Sequence, residues 1–281
     1  LATGLHYLSD GQWQESVVAF EIGPNGHAIA SKGQHLVILA PDINSGGSVD
    51  LLLPDGVQRL RSNPMGLSYF DTASGQSVLL AEVTNTVGTL IEPNVVLFDN
   101  CFDTIRGALR YTYTRDYFEQ DVIVYENVGS PADYGLSQAT TRLEMFTEFF
   151  DPPEPNKSTQ TLPGNVEDET LKFGSMRIGR GKAYFLGNTL ESADVGKTWQ
   201  QIDGRDFLVE SVHYTHVAPM LQNLQASNSR EKNSKVAART ARDRRGLVAG
   251  LRKREKSTEV ASIKPGRMPD QCANDQFVRG I

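Results

Sequence analysis

The sequence predicts an all-β fold: an antiparallel β-sandwich-like body of many short strands and hairpins, followed by a disordered basic tail. Three observations carry that expectation. Runs rich in Val, Ile, Leu, Phe and Tyr recur at roughly 8–12-residue spacing, divided by turn-forming clusters, as in sandwiches and barrels. The body shows no three-turn stretch with the apolar period of a helix. Charge also divides along the chain: residues 227–281 hold 14 Lys and Arg against 6 Asp and Glu, leaving 14 basic and 28 acidic residues in 1–226. An acidic body carries a basic tail.

In chain order, strands are expected at 16–22, 33–40, 48–53, 66–71, 76–83, 94–98, 107–114, 117–125 and 142–150. Turn residues separate the early ones: GPNG at 23–26, NSGG at 44–47, PDG at 54–56 and SG at 74–75. Gly and Asn reach positive φ cheaply and Pro presets a negative one, so these clusters turn the chain. Residues 1–150 thus form the main body. DPPEPNKSTQTLPGN, 151–165, has four prolines and only Leu162 to bury, so 151–168 is expected to be an exposed loop or linker. Further hairpins from 175–179, 182–187, 197–202 and 205–212 pack on the body within 169–226. Asp203–Gly204 is a two-residue hairpin signal that should pair the last two.

From 227 onward the only apolar stripe is Leu247, Val248 and Leu251, while Gly246 and Gly250 each cost a helix about 1 kcal/mol relative to Ala. The tail, 227–281, is therefore expected to be largely disordered and to stay off the body. One register is specified in detail. GALRYTYT and YFEQDVIV should turn at Arg115–Asp116, setting Arg110 opposite Asp121 and Tyr111 opposite Gln120. That buries Leu109, Tyr111, Tyr113, Phe118 and Val122 and leaves Arg110, Glu119 and Asp121 solvated or half-covered, since the alternative register would bury unpaired charge.

Several functions are argued down. No run of about 18 apolar residues exists, so no membrane span is expected. LATGLHYL lacks the basic and apolar regions of a signal peptide. Cys101 and Cys272 stand alone without a CxxC pair, which suits neither a disulfide framework nor a zinc thiolate site. SADVGKTW, 192–199, fits the S-x-D-x-G-x-T-W Asp-box of sialidase propellers, but it occurs once, where blades would repeat it about every 40–50 residues. It is read as a hairpin turn with Trp199 packed on the body. GRGKA at 179–183 has Met176 and Ala183 where a phosphate loop needs Gly and a hydroxyl, so it too is read as a hairpin turn.

DINSGGSVD, 42–50, alternates oxygen ligands around Gly as calcium loops do, but Leu53 stands where an EF-hand needs Glu. It is read as a turn, with incidental calcium near Asp42–Asp50 the alternative. His213 and His216, three apart on an expected strand, would point to opposite faces and share no metal. Glu119 and Asp121 share a face, but glycosidase carboxylates flank a cleft from different strands. No catalytic, cofactor-binding or metal residue is assigned, and no cofactor is expected. The basic tail has the electrostatic footprint of a nucleic-acid binder but only Phe277 for base stacking, so it is read as an interdomain linker.

NVVLFDNCFDTIRGALRYTYTRDYFEQDVIVYENV, 94–128, resembles an element of the N-terminal β-rich regions of large exported bacterial proteins with Rhs/YD repeats. Flanking pieces agree: TGLHYLSDGQWQES at 3–16, LLLPDGVQRLRSNPMGLSYFDTASGQSVLLAEV at 51–83, TRLEMFTEFF at 141–150, FGSMRIGRGKAYFLG at 173–187 and WQQIDGRDFLVESVHY at 199–214. Ala108 departs from it, standing where an acidic residue often precedes the Leu. The resemblance implies a secreted or cell-surface module, with no catalytic residues to carry over. The expected function is a non-catalytic scaffold or contact surface, its partners being neighbouring domains of a larger chain or a surface partner. The alternative is a glycan-binding or glycan-processing module that uses Trp13 and Trp199 as stacking platforms.

Overall fold

A computed structural model describes residues 5–163, 166–185, 188–225, 241–251, 261–269 and 277–280, with the backbone alone at 185, 188–191 and 277–280. The chain opens with a hairpin that forms a sheet of its own, β1 (His6–Ser9) and β2 (Gln12–Glu15), and touches the body through Glu15 and Arg115. A first meander follows: β3 (Glu21–Ile22), β4 (Ala28–Ala30), β5 (Leu36–Leu39), β6 (Val49–Leu52), β7 (Arg59–Asp71) and β8 (Gln76–Glu82). A second comprises β9 (Thr89–Glu92), β10 (Val95–Phe98), β11 (Gly107–Tyr113) and β12 (Phe118–Val124). Next come β13 (Thr141–Phe150), β14 (Asn156–Leu162), β15 (Val166–Phe173), β16 (Met176–Ile178), β17 (Gly181–Phe185), β18 (Asn188–Ile202) and β19 (Arg205–His213). The remaining elements are α1 (Tyr214–Gln222), β20 (Arg242–Asp243), α2 (Arg244–Gly250), β21 (Lys264–Pro265) and β22 (Phe277–Gly280).

The all-β, antiparallel sandwich-like expectation holds. One sheet runs β3-β4-β5-β6-β7-β13-β19-β18, with β8 beside the far half of β7. The facing sheet runs β9-β10-β11-β12-β22-β17-β18. The strand β18 belongs to both: Asn188 to Val195 pair in the second sheet and Gly196 to Ile202 in the first. On the opposite flank, the bridges Asp42↔Val87 and Val83↔Phe102 join the sheets. The sandwich is thereby closed into a flattened barrel.

Period-two alternation fills its interior. Val37, Leu39, Leu67, Tyr69 and Met145 of one sheet share a core with Val96, Phe98, Leu109, Tyr111 and Val122 of the other. Each such side chain contributes roughly 1.5–3 kcal/mol on burial, an upper figure against a compact unfolded chain. The β11–β12 register is as specified, with Arg110↔Asp121, Tyr111↔Gln120 and Tyr113↔Phe118. The hairpin at Asp203–Gly204 also holds: both residues take positive φ, 52° and 73°, and Ile202 pairs with Arg205.

Three expectations are corrected. Among the described residues of 151–168, only 152–155 is irregular and without turn, bend or strand; β14 and β15 pair antiparallel, with Leu162 opposite Val166. SADVGKTW is no turn but lies wholly within β18, and GRGKA joins β16 to β17, which belong to different sheets. The tail, over its described stretches, is attached. Helix α2 buries Leu247, Val248 and Leu251 against Met65, Phe146, Phe207 and Val209 on the outer face of the first sheet. Its stripe is small, yet that outer face is apolar too, and buried carboxylates there need cations. Arg244 reaches Glu144 at 2.9 Å and lies 4.1 Å over the Phe70 ring. Arg205 pairs with Glu148 and donates to the Val248 and Leu251 carbonyls. Further on, β20 pairs with β8, β21 with β9 in parallel, and β22 lies between β12 and β17. The rest of 227–281, Cys272 included, falls outside the described residues.

Candidate functional site

The small sheet β14-β15-β16 covers one end of the barrel beside the β11–β12 turn. Its attachment is set by β18. At Gly196 the backbone of β15 comes so near that a Cβ would sit 2.2 Å from the Glu167 carbonyl oxygen. One residue on, the Lys197 ammonium donates to Asp168 Oδ1 at 2.7 Å, both groups buried. Gln160 Nε2 donates to the other Asp168 oxygen, and the Trp199 amide to Glu169 Oε2. The Trp199 ring, 7 % exposed, packs on Phe149 at 4.9 Å and Phe173 at 5.7 Å between centroids. The glycine therefore admits the sheet, the ion pair anchors it and the ring seals it.

Beneath this cover lies a cavity of about 450 Å³. Apolar side chains line most of it, among them Leu51, Leu60, Phe118, Phe149, Ile178 and Leu208. Ser62, Tyr111, Gln120 and Thr147 are the buried polar residues that line it, with Asp116, Glu119 and Arg177 also at its wall. Tyr111 Oη donates to Gln120 Oε1 at 2.6 Å, which turns the amide nitrogen to the free end. Burial pushes the Tyr111 phenol well above its usual range, so it remains a neutral donor. Gln120 Nε2 and Thr147 Oγ1 are buried without a hydrogen-bond partner among the described residues. Buried polar atoms are normally paired, so each marks something incomplete.

Sequence reasoning missed this site. Its signal was a polar residue in an inward series: Gln120 between Phe118 and Val122, and Thr147 between Met145 and Phe149. A larger cleft, about 980 Å³, lies among Ile29, Ile38 and the turns at 23–27 and 42–47. There Asp42 Oδ1 accepts from the Asn44 and Thr86 amides, and Asn63 binds Gly47, Ser45 and Ser48. The Asp42–Asp50 oxygens thus serve as turn acceptors in part, and no group of three His, Cys, Asp or Glu that could hold a metal occurs among the described residues.

Of the carboxylate pair, Glu119 is half-covered as expected but Asp121 is not. Asp121 is fully buried and accepts from Arg110 Nε at 2.8 Å and Nη2 at 2.6 Å. Pairing with β22 brings β17 alongside, and Tyr184 of that strand lies against the Arg110–Asp121 pair. Burial raises the Asp121 carboxyl above its usual range, against the pull of Arg110; burial and then Asp121 raise Glu119. With one member tied to a guanidinium and both on one strand, the pair does not flank a cleft.

His213 and His216 do meet, their rings 5.4 Å apart, because α1 starts at Tyr214 and ends the strand alternation. Burial, then Arg142, then His216 lower the His213 pKa. Cys101 is buried, and burial raises its thiol pKa, so it lacks the character of a nucleophile. The two tryptophans are not brought together: Trp199 is in the core, while Trp13 is 72 % exposed on the β1–β2 hairpin.

No protein-family model, curated protein or solved structure matches this chain. Among the described residues no helix is long and apolar enough to cross a membrane.

Proposed function

We propose that this chain is a non-catalytic β-rich module of a larger exported or cell-surface bacterial protein, acting as a scaffold and contact surface. The observation that supports it most is how the body receives extended chain. Segments downstream of the body add to it as strands at three places, β20 on β8, β21 on β9 and β22 between β12 and β17. Sheet edges that accept strands in this way are the general basis of strand-addition contacts. The resemblance of 94–128 to β-rich regions of Rhs/YD-repeat proteins supports the exported setting.

Two measurements test the reading. An epitope inserted at the exposed Asp10–Gly11 turn, in the protein as its cell makes it, should be labelled on intact cells. Labelling only after lysis overturns the surface placement. Turnover of a sialoside or another glycan by the purified chain overturns the non-catalytic assignment. One observation favours glycan contact as a second reading: Trp13 presents an open ring on the β1–β2 hairpin. Glycan-array binding that Trp13→Ala abolishes would establish it.

A further inference from the structure

We infer that the cavity beneath β14–β16 is a binding site for a small, neutral, mostly apolar molecule bearing one hydrogen-bond acceptor such as a carbonyl. Its volume, about 450 Å³, lies within the range of small-molecule pockets and suits on the order of 15–20 non-hydrogen atoms. The mouth of a β-barrel is a common place for such a pocket. Leu51, Leu60, Phe149 and Leu208 set the apolar character.

The polar address comes from two residues on facing sheets. Gln120 is 7 % exposed and Thr147 3 %, both line the cavity, and each keeps a polar atom without a partner among the described residues. The Gln120 carbonyl is already occupied by Tyr111, which leaves an N–H donor for a ligand acceptor. A buried donor left unmade costs more than a made bond contributes, so a ligand oxygen is favoured over a purely hydrocarbon group. Charge points to neutrality: Asp116 and Glu119 at the cavity oppose an anion, and Arg177 is the single cation there. This site is independent of the surface role proposed above, and neither test bears on the other.

The experiment uses the full chain and the neutral naphthyl ketone Prodan, whose emission reports both an apolar setting and a hydrogen bond to its carbonyl. Saturable one-to-one binding with blue-shifted emission is expected. Ile178→Trp, which fills the cavity, should abolish it. Gln120→Met should weaken Prodan about tenfold while changing the affinity of dimethylaminonaphthalene, which lacks the carbonyl, less than twofold. One hydrogen bond accounts for a change of that size. Far-UV circular dichroism checks each variant. If Gln120→Met does not fold, Thr147→Val, which removes only a hydroxyl, should weaken Prodan about threefold. Absence of saturable binding, wild-type affinity in the folded Ile178→Trp protein, or tighter binding of an anionic naphthalene sulfonate overturns the inference.

Discussion

The hairpins β11–β12 and β14–β15 are built to opposite rules. The first alternates apolar and polar side chains and sends Leu109, Tyr111, Tyr113 and Val122 into the main core. The second, NKSTQTL paired with VEDETLKF, exposes most of β14 and buries chiefly Leu162, Val166, Leu171 and Phe173. Its hold on the body combines Leu171 and Phe173, which reach the main core and the Trp199 ring, with the buried Lys197–Asp168 pair and the approach of β15 to Gly196. Apolar area along its whole length positions one hairpin; two core side chains and a buried ion pair position the other. Broad apolar area is robust to single changes; a buried ion pair is less so.

Removing the anchor should separate the two most sharply. Asp168→Ala leaves Lys197 buried without its carboxylate, and breaking such a pair costs about 3–5 kcal/mol. A lower urea midpoint together with red-shifted Trp199 emission is expected, because the small sheet packs on that ring. Retention of the wild-type spectrum would show that the sheet is held by other means.

The β11–β12 hairpin has its own ion pair, and its loss should matter less. Arg110→Met should cost about 2–3 kcal/mol at neutral pH, since Arg110 remains in part open to water and core area persists. Asp121 has a raised pKa in the folded protein, so its contribution to stability falls as pH rises through the ordinary carboxylate range. The variant should steepen that fall and be least harmed in acid. Urea titrations at several pH values read both effects.

Acid tests the core side from another direction. The His35 ring lies 5.0 Å from Tyr113, and burial lowers its pKa from the usual 6.5. The unfolded chain then takes up a proton that the folded one resists. Stability is therefore full above about pH 6.5 and declines as pH falls from there to the folded pKa. The slope from His35 is at most about 1.4 kcal/mol per pH unit, and His35→Phe should remove its share. At the small end, Trp13→Ala on the β1–β2 hairpin should change stability by less than about 0.5 kcal/mol. A larger loss would mean that this hairpin leans on the body.

What was legible in the sequence follows the same division. Where a core chooses the face, as in β11–β12, alternation gave the register residue by residue. Alternation carried no such information for NKSTQTL, whose outer face meets water and whose prolines Pro152, Pro153, Pro155 and Pro163 all lie outside the strand. Helix α2 was illegible for a related reason. Leu247, Val248 and Leu251 mean little without Phe146 and Phe207, which stand about a hundred and about forty positions away on an outward face. The cavity residues were visible as polar members of apolar series, but Gln120 and Thr147 acquire a meaning only when two sheets bring them to one wall.

Because β18 serves both sheets, its length is frozen in a way its composition is not. Deleting one residue near Val195 would invert the inside and outside of every position beyond it in one sheet while leaving the other in place. Trp199 would turn out of the core and Thr198 into it, and Gly196 would no longer lie under β15. Insertions and deletions during divergence should therefore collect in turns such as 44–47, 54–56 and 74–75. Over Asn188–Ile202, related chains should differ by substitution alone.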